Sequence, residues 1–199
     1  MSNIESFRPR SGYLLAFTAY FAISAFTYVN ILDYGLRGGL PSLTWGLWLC
    51  ALLYLIFIHP KVIFSDEGVV IVNPLKKITI GWHEISEIDA RFTMYVTHLP
   101  TGVKHHAFAA QAPGRYHSRN IHPSEVKGLR IGDSGMIRAG ESPRSNSGAA
   151  TAIARARYEN FIKSGNLTGF KFGTELNRNG MFINAALFAL ALGVQFLHA

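Results

Sequence analysis

The sequence predicts membrane-spanning α-helices on both sides of one mainly β domain. Three observations lead to this fold class. Three long apolar runs carry no Asp, Glu, Lys or Arg, the segment between the second and third runs alternates apolar and polar residues, and most of the charge lies in that same segment. Charged residues are 16% of the 199-residue chain, against roughly 25% in soluble domains. Apolar residues are therefore pooled in particular segments.

The three apolar runs are residues 11–32, 40–58 and 181–199. About 20 helical residues cross the hydrocarbon core of a bilayer, so each run has a suitable length. A single run would also suit a buried core helix, but three in so short a chain favour transmembrane helices. Arg8 and Arg10 precede the first run as they would in a signal peptide. That run is longer than the usual apolar region of about 7–15 residues, and no clear cleavage site follows it.

The distribution of Lys and Arg predicts the orientation. Arg8 and Arg10 precede the first run, only Arg37 lies in the loop of residues 33–39, and the segment from His59 to Gly180 holds 16 Lys and Arg against 10 Asp and Glu. The positive-inside rule places residues 1–10 and the middle domain in the cytoplasm, with residues 33–39 and the C-terminus outside. We expect a multi-pass protein of the cell membrane.

Two of the predicted spans carry small residues four positions apart. Small residues allow helix backbones to approach closely in lipid, so these stripes are candidates for packing within the chain or for self-association. They are Ser42, Gly46 and Cys50 in the second span and Ala185, Ala189 and Gly193 in the third.

The middle segment, residues 59–165, changes to the alternating pattern of β-strands. Ile78, Ile80 and Trp82 share one face of a predicted strand, and Glu84, Glu87 and Asp89 are expected to point outward from the next segment. Turns at residues 65–68, 73–74 and 100–102 give a meander of five or six short antiparallel strands.

Residues 111–147 are rich in Gly, Ser, Pro and Arg, with one weak strand candidate at residues 129–131. A helix is predicted from about residue 149 to residue 163, capped by Ser145 or Ser147 and ended by Gly165. Its buried side is expected to carry Ala150, Ala154, Tyr158, Phe161 and Ile162, and Arg155 is expected elsewhere. A linker of residues 166–180 follows.

Several short segments resemble a known family. These are residues 64–69 (FSDEGV), residues 73–75 (NPL), residues 80–85 (IGWHEI) and residues 138–145 (RAGESPRS). They are similar to the pleckstrin-homology (PH)-like domain of actinobacterial membrane proteins, of the low-molecular-weight protein antigen type. The resemblance covers about residues 59–163 and implies a bent antiparallel sheet or barrel with a C-terminal helix.

The resemblance implies a fold and no defined activity. Eukaryotic lipid-binding PH domains hold inositol phosphates with Lys and Arg around the first hairpin. This chain has Asp66 and Glu67 there, so we expect no inositide site at that hairpin.

Of the eight histidines, five form the one cluster that suggests metal ligands: His98, His105, His106, His117 and His122. His98 and His105 would approach each other across a hairpin, whereas His105 and His106 point to opposite faces of a strand. Because a metal site needs three or four convergent ligands, we interpret the histidines as surface residues. The single cysteine, Cys50, excludes a disulfide within the chain. The sequence predicts no metal, no cofactor and no catalytic residues.

Lys61, Lys76, Lys77 and Lys104 are candidates for contact with anionic lipid headgroups. An ordinary solvated basic face is the alternative, and the aromatic residues that single-stranded nucleic acid requires are not interleaved with these lysines. The sequence therefore favours a non-enzymatic membrane protein. Its cytoplasmic domain would bind a protein partner or the inner membrane surface as an adaptor or assembly factor. The alternative is an accessory subunit of a membrane enzyme or transporter.

Overall fold

The structure, a computed structural model, describes residues 4–112, 140, 142, 145–165 and 168–198. The chain divides into two compact units. One unit, the β domain, comprises Met1–Pro9 and Pro60–Glu175, and the other, the helical unit, comprises Arg10–His59 and Leu176–Ala199. The strand candidate at residues 129–131 and most of the loop-rich segment lie outside the described residues.

The larger sheet of the β domain has five strands. They are β1 (Glu5–Phe7), β2 (Lys61–Phe64), β3 (Gly68–Val72), β4 (Lys76–Gly81) and β8 (Gly173–Leu176). Their order across the sheet is β1-β2-β3-β4-β8, and the pairs from β1 to β4 are antiparallel. Sequence patterning predicted β2, β3 and β4. The two edge strands lie outside the predicted residues 59–165, so the compact β domain is larger than that range.

The smaller sheet has three antiparallel strands, which are β5 (Ile85–Ala90), β6 (Thr93–His98) and β7 (Lys104–Gln111). Inward side chains from both sheets form one core because they alternate along each strand. The core includes Val62, Phe64, Val69, Ile71, Ile78, Ile80, Trp82, Ile88, Met94 and Val96.

Trp82 lies at the centre of this core and is fully buried, as the alternation of Ile78, Ile80 and Trp82 predicted. The strand itself ends at Gly81, and Trp82 begins a short 3₁₀ turn, Trp82–Glu84. Its indole Nε1 donates a hydrogen bond to the Ser65 carbonyl at 2.9 Å. The one polar atom of this large side chain is therefore satisfied.

Helix α2 (Asn146–Lys163) packs against the smaller sheet. The Ser145 hydroxyl caps it by accepting from the Gly148 N–H at 2.9 Å, which confirms one of the two predicted caps. Arg155 Nε donates to the Ile88 carbonyl at 3.1 Å, and the Tyr158 hydroxyl donates to the Ile85 carbonyl at 3.4 Å. These bonds cover the edge of β5, which would otherwise expose unpaired carbonyls.

Three expectations for side-chain positions are wrong. Asp89 is only 8% exposed rather than outward, because Arg155 from α2 supplies a partner at 3.2 Å. Arg155 accordingly lies against the sheet. Ile162 is 59% exposed, whereas its neighbour Phe161 is buried and takes the core position in that turn.

Helix α1 (Arg10–Leu53) opens the helical unit and continues into a π-helical turn, Tyr54–Ile58. The backbone is non-helical at Gly35 (φ 70°, ψ 177°), and there the chain folds back on itself. A Cβ added to Gly12 would lie 2.6 Å from the Phe57 carbonyl oxygen, and the Tyr20 hydroxyl donates to the Cys50 carbonyl at 3.2 Å. Residues equally distant from Gly35 therefore face each other, as in an antiparallel helical hairpin.

The second helix of this unit, α3 (Arg178–His198), packs against α1. Trp45 and Trp48 contact the Phe188 ring, with centroids 5.8 and 5.1 Å apart. Within the described residues, α1 with its π-helical turn, and α3, are the helices long and apolar enough to cross a membrane. The sequence predicted three apolar segments, and the structure joins the first two by the reversal at Gly35.

Candidate functional site

One end of the five-stranded sheet carries three of the four candidate lysines. The residues there form a row across the strands. Lys61 pairs with Val72, and Val72 pairs with Lys77. Phe7 of β1 pairs with Val62, the neighbour of Lys61. Glu175 of β8 contacts Lys77 at 3.3 Å and continues the row. The row therefore contains the last residue of β1, the first of β2 and the penultimate residue of β8, which are the strands that connect to α1 and α3.

The β3–β4 turn, residues 73–76, projects from this same end of the sheet. The Asn73 N–H donates to the Lys76 carbonyl at 2.8 Å and closes the turn. The Asn73 side chain also binds β7: Nδ2 donates to the His106 carbonyl, and Oδ1 accepts from the Phe108 N–H, both at 2.8 Å. At the tip, the Leu75 side chain is 55% exposed, and Lys76 is exposed beside it. The turn therefore presents an apolar and a cationic side chain on a fixed backbone.

The lysines at this end differ in their electrostatic partners. Lys77 forms an ion pair with Glu175, both side chains being solvent-accessible. In the part of the chain that the structure describes, Lys61 and Lys76 form no ion pair with a carboxylate. Of the three lysines at this end, Lys61 and Lys76 are therefore available to an external anion.

Lys104 lies elsewhere, on the outer face of β7. Its Nζ is 4.4 Å from the centre of the Tyr95 ring, 3.3 Å from the Tyr95 hydroxyl and 3.5 Å from Glu87 Oε2. The hydrogen bond to Tyr95 raises the pKa of Lys104 above its ordinary value, and burial raises the pKa of Tyr95. Lys104 therefore belongs to a network within the smaller sheet, and the structure does not bring it together with the other three lysines.

The opposite end of the five-stranded sheet is acidic. The β2–β3 turn exposes Asp66 and Glu67. Arg157 of α2 donates to Asp66 at 2.9 Å and to Glu5 at 3.4 Å. The two ends of the sheet thus present charges of opposite sign.

Two of the candidate histidines meet inside the β domain. The His98 and His105 rings lie 6.4 Å apart, and Phe172 stacks on His98 at 4.1 Å with the ring planes 19° apart. His98 is 4% exposed, so its assignment as a surface residue is wrong. The aromatic cover of Phe172, from the segment before β8, allows an imidazole to lie inside the sheet.

This cluster also holds the Glu84 carboxylate, with Oε2 3.8 Å from His98 Nε2. His98 Nδ1 lies 2.9 Å from the Thr101 hydroxyl, whereas His98 Nε2, His105 Nε2 and Glu84 Oε2 are buried without a hydrogen-bond partner. Burial, followed by the charge of Lys76 and the neighbouring histidines, lowers the pKa of His105. Burial and the neighbouring charges therefore favour the neutral form of His105.

Among the residues that the structure describes, no three His, Cys, Asp or Glu side chains are grouped so that they hold a metal ion. His106 is on the outer face of β7, with Nδ1 2.9 Å from the Thr93 hydroxyl. His117 and His122 lie outside the described residues.

The small-residue stripes of the helical unit have different environments. Gly46 is buried, and a Cβ there would lie 3.1 Å from both Ile23 and Thr27, so this stripe packs within the α1 hairpin. Ala185, Ala189 and Gly193 are exposed on α3. The first stripe is explained by contacts within the chain, whereas self-association through the second stays a prediction.

The helical unit also contains a cavity of about 370 Å³ at the π-helical turn. Its walls are mainly apolar, with His59, Asn177 and Asn184 as polar members. Asn184 Nδ2 donates to the Gly180 carbonyl at 3.0 Å, and its Oδ1 is buried without a partner.

Sequence reasoning missed Leu75 and Phe172. It expected Glu84 to point outward, which is wrong, because Glu84 Oε2 is buried 3.8 Å from His98 Nε2. Leu75 had a local signal, since an apolar residue between Pro74 and two lysines is unusual in a turn. Phe172 had no such signal, because its contact with His98 joins residues 74 positions apart in the chain. No protein-family model, no curated protein and no solved structure matches this chain.

Proposed function

We propose that this chain is a non-enzymatic integral membrane protein whose PH-like domain lies on the cytoplasmic side and works as an adaptor at the inner membrane surface. The two limbs of α1 and the helix α3 form three membrane spans. The β domain, joined to them at three points, presents its basic sheet end to the lipid headgroups.

The exposure of apolar side chains on the helical unit carries this proposal. Soluble proteins rarely expose contiguous apolar surface of more than a few hundred Å². Along α1 and α3 large apolar side chains with more than half of their area exposed recur. They include Leu14, Phe17, Phe21, Phe26, Tyr28, Leu32, Phe182, Ile183, Phe196 and Leu197. A lipid environment is the simplest way to cover such a surface.

The reversal at Gly35 supports three spans rather than two. A straight helix of 49 residues would be about 70 Å long, more than twice the hydrocarbon thickness of about 30 Å. The two limbs of the hairpin are each close to the length that one crossing requires.

The PH-like assignment is supported by the arrangement of the β domain. Strands β2 to β4 are antiparallel in one sheet and β5 to β7 in the other, the two sheets share one core, and the C-terminal helix α2 packs on the smaller sheet. This arrangement agrees with the bent sheet and closing helix that the sequence resemblance implies. It identifies no reaction, since one fold hosts many functions.

The orientation is tested with reporters in the full chain. A reporter active only in the cytoplasm is fused after Ala199 in one version and inserted within residues 118–124 in another. We expect activity from the internal insertion and none from the C-terminal fusion. Activity at the C-terminus, or none at the internal site, would reject the proposed orientation.

A further inference from the structure

We propose that the β3–β4 turn is a membrane anchor for an anionic bilayer: Leu75 enters the interfacial region, and Lys76 binds the phosphate groups of the lipid headgroups. This inference rests on the proposed function, because it requires α1 and α3 to span the bilayer. It adds the element of the β domain that contacts lipid and the chemistry of that contact.

Chain connectivity identifies the end of the sheet that is joined to the spanning helices. Residues 8–9 join β1 to α1, residues 59–60 join the π-helical turn to β2, and residue 177 joins β8 to α3. An extended residue spans at most about 3.6 Å, so none of these connections reaches much beyond 10 Å. All three short connections therefore leave from the sheet end that carries Lys61, Lys77 and the β3–β4 turn.

The acidic β2–β3 turn lies at the other end of the sheet from these connections. Strands β2 and β3 are four and five residues long, which separates the β2–β3 turn from the β3–β4 turn by about 15 Å. This distance exceeds the Debye length of about 8 Å at physiological ionic strength. Repulsion between Asp66 or Glu67 and anionic lipid is thus largely screened, whereas Lys76 lies within range.

The backbone of the β3–β4 turn is already fixed in the conformation that exposes Leu75. Asn73 holds the turn at three points, namely its own N–H bond to Lys76 and the two side-chain bonds to β7. Because the backbone is already fixed, binding loses little conformational entropy. The exposed Leu75 side chain then gains apolar contact, and Lys76 gains an anionic partner that the described part of the chain does not provide.

The contact between the β3–β4 turn and lipid is weak, because it contains only one apolar side chain and one or two cations. Covalent attachment to the spanning helices compensates by keeping the turn at a high effective concentration at the surface. The anchor therefore fixes the orientation of the β domain on the membrane rather than bringing the domain to it.

The test places a fluorescent probe at each end of the sheet in the full chain. Cys50→Ser removes the native thiol, and Leu75→Cys or the matched control Glu67→Cys receives an environment-sensitive nitrobenzoxadiazole label. Each protein is placed in nanodiscs that contain phosphatidylglycerol or only phosphatidylcholine, with lipids brominated near the glycerol as quenchers. We expect quenching at position 75 in phosphatidylglycerol, less at high salt, and little quenching at position 67.

Charge variants test the role of Lys76. One lysine near an anionic surface corresponds to about a fivefold change in the ratio of docked to free turn, and Lys76→Glu is expected to lower that ratio by at least this much. Lys76→Arg is expected to restore it. Equal quenching at positions 67 and 75, or quenching at 75 that does not respond to Lys76→Glu, would overturn the anchor.

Failure of the anchor and failure of the proposed function give different results. If the protein stays in the membrane after alkaline extraction but position 75 is unquenched, the anchor is refuted and the spans stand. If alkaline extraction releases the protein, the spans themselves are refuted, and the anchor with them.

Discussion

The Asn73 side chain binds the backbone beside Phe108 as a neighbouring strand would, accepting from its N–H at 2.8 Å and donating to the His106 carbonyl at the same distance. It covers part of the free edge of β7 and joins the two sheets at the β3–β4 turn. An edge strand with unpaired groups is a template for aggregation, so this bond also protects the domain.

Replacement of Asn73 by Ala is expected to destabilise the β domain. It leaves the Phe108 N–H and the His106 carbonyl, both at exposed positions, without their partner, at a cost of about 0.5–1.5 kcal/mol for each hydrogen bond. Hydrogen exchange of the amides in β7 measures the change as a free energy of local opening. Asn73→Asp keeps the acceptor and loses the donor, so it is expected to lie between Ala and the parent. An Ala variant with unchanged exchange would contradict this account.

Truncation of Trp82 tests the core. Trp82→Ala removes a fully buried indole and its bond to Ser65, which we expect to cost about 3–5 kcal/mol and to unfold the β domain or nearly so. Phe92→Ala is the matched control, because Phe92 is 76% exposed, and exposed changes usually stay within about 0.5 kcal/mol. The readout is hydrogen exchange across β2 to β4 in the full chain.

Removal of Arg155 is expected to loosen α2 from the smaller sheet. Arg155→Met keeps the apolar stem but leaves Asp89 without its 3.2 Å partner and the Ile88 carbonyl without its 3.1 Å donor. Hydrogen bonds to charged groups contribute about 1.5–3 kcal/mol, so we expect a loss of that order. The double variant Arg155→Met with Asp89→Asn should recover part of the loss. If the double variant is no more stable than Arg155→Met, the pair is not coupled.

The alternation of residues predicted most of the central strands because it depends only on neighbouring positions. Ile78, Ile80 and Trp82 are buried as that period requires. The two edge strands β1 and β8 could not be predicted in this way, since three or four residues such as those of Glu5–Phe7 become a strand only through pairing with β2. The edge strands β1 and β8 form only through contacts between distant parts of the chain.

Only part of the candidate site could be predicted, because it too depends on contacts between distant parts of the chain. Lys61, Lys76 and Lys77 share one sheet end, whereas Lys104 is held by Tyr95 and Glu87 on a different strand. Charge counts do not reveal such partners. The burial of Asp89 and His98 likewise depends on Arg155 and Phe172, which come from later in the chain. Local patterning indicated the elements, and the long-range pairs decided the environment of each polar side chain.

The β domain is expected to lose stability in mild acid because of His105. Its pKa is lowered in the folded state, first by burial and then by Lys76, His98 and His106, so the unfolded chain binds the proton more readily. The contribution of His105 is therefore complete above its unfolded pKa of about 6.5 and declines as the pH falls through the lower folded value. His105→Gln should reduce the slope of stability against pH between pH 7.5 and 5.5, measured by hydrogen exchange. His106→Gln, at the exposed neighbour, is the control, and an equal effect of both variants would contradict the assignment.

Two glycines of the helical unit provide a matched test of its packing. A Cβ at Gly12 would lie 2.6 Å from the Phe57 carbonyl oxygen, which is backbone and cannot move aside cheaply, whereas a Cβ at Gly193 meets nothing within 4 Å. Gly12→Leu is therefore expected to separate the two limbs of the α1 hairpin at their open end. Gly193→Leu should leave the fold of the chain intact.

The measurement is crosslinking between Cys pairs at the open end of the hairpin, introduced at Tyr13 and Phe57 in the Cys50→Ser background and followed in detergent. We expect Gly12→Leu to abolish the crosslink and Gly193→Leu to preserve it. Size-exclusion chromatography of the same samples addresses the exposed stripe Ala185, Ala189 and Gly193, since Leu at position 193 blocks close approach of two copies. A shift to a smaller species for Gly193→Leu alone would support self-association through α3. An unchanged elution profile would contradict that self-association. Retention of the crosslink in Gly12→Leu would show that the limbs do not require the close approach at Phe57.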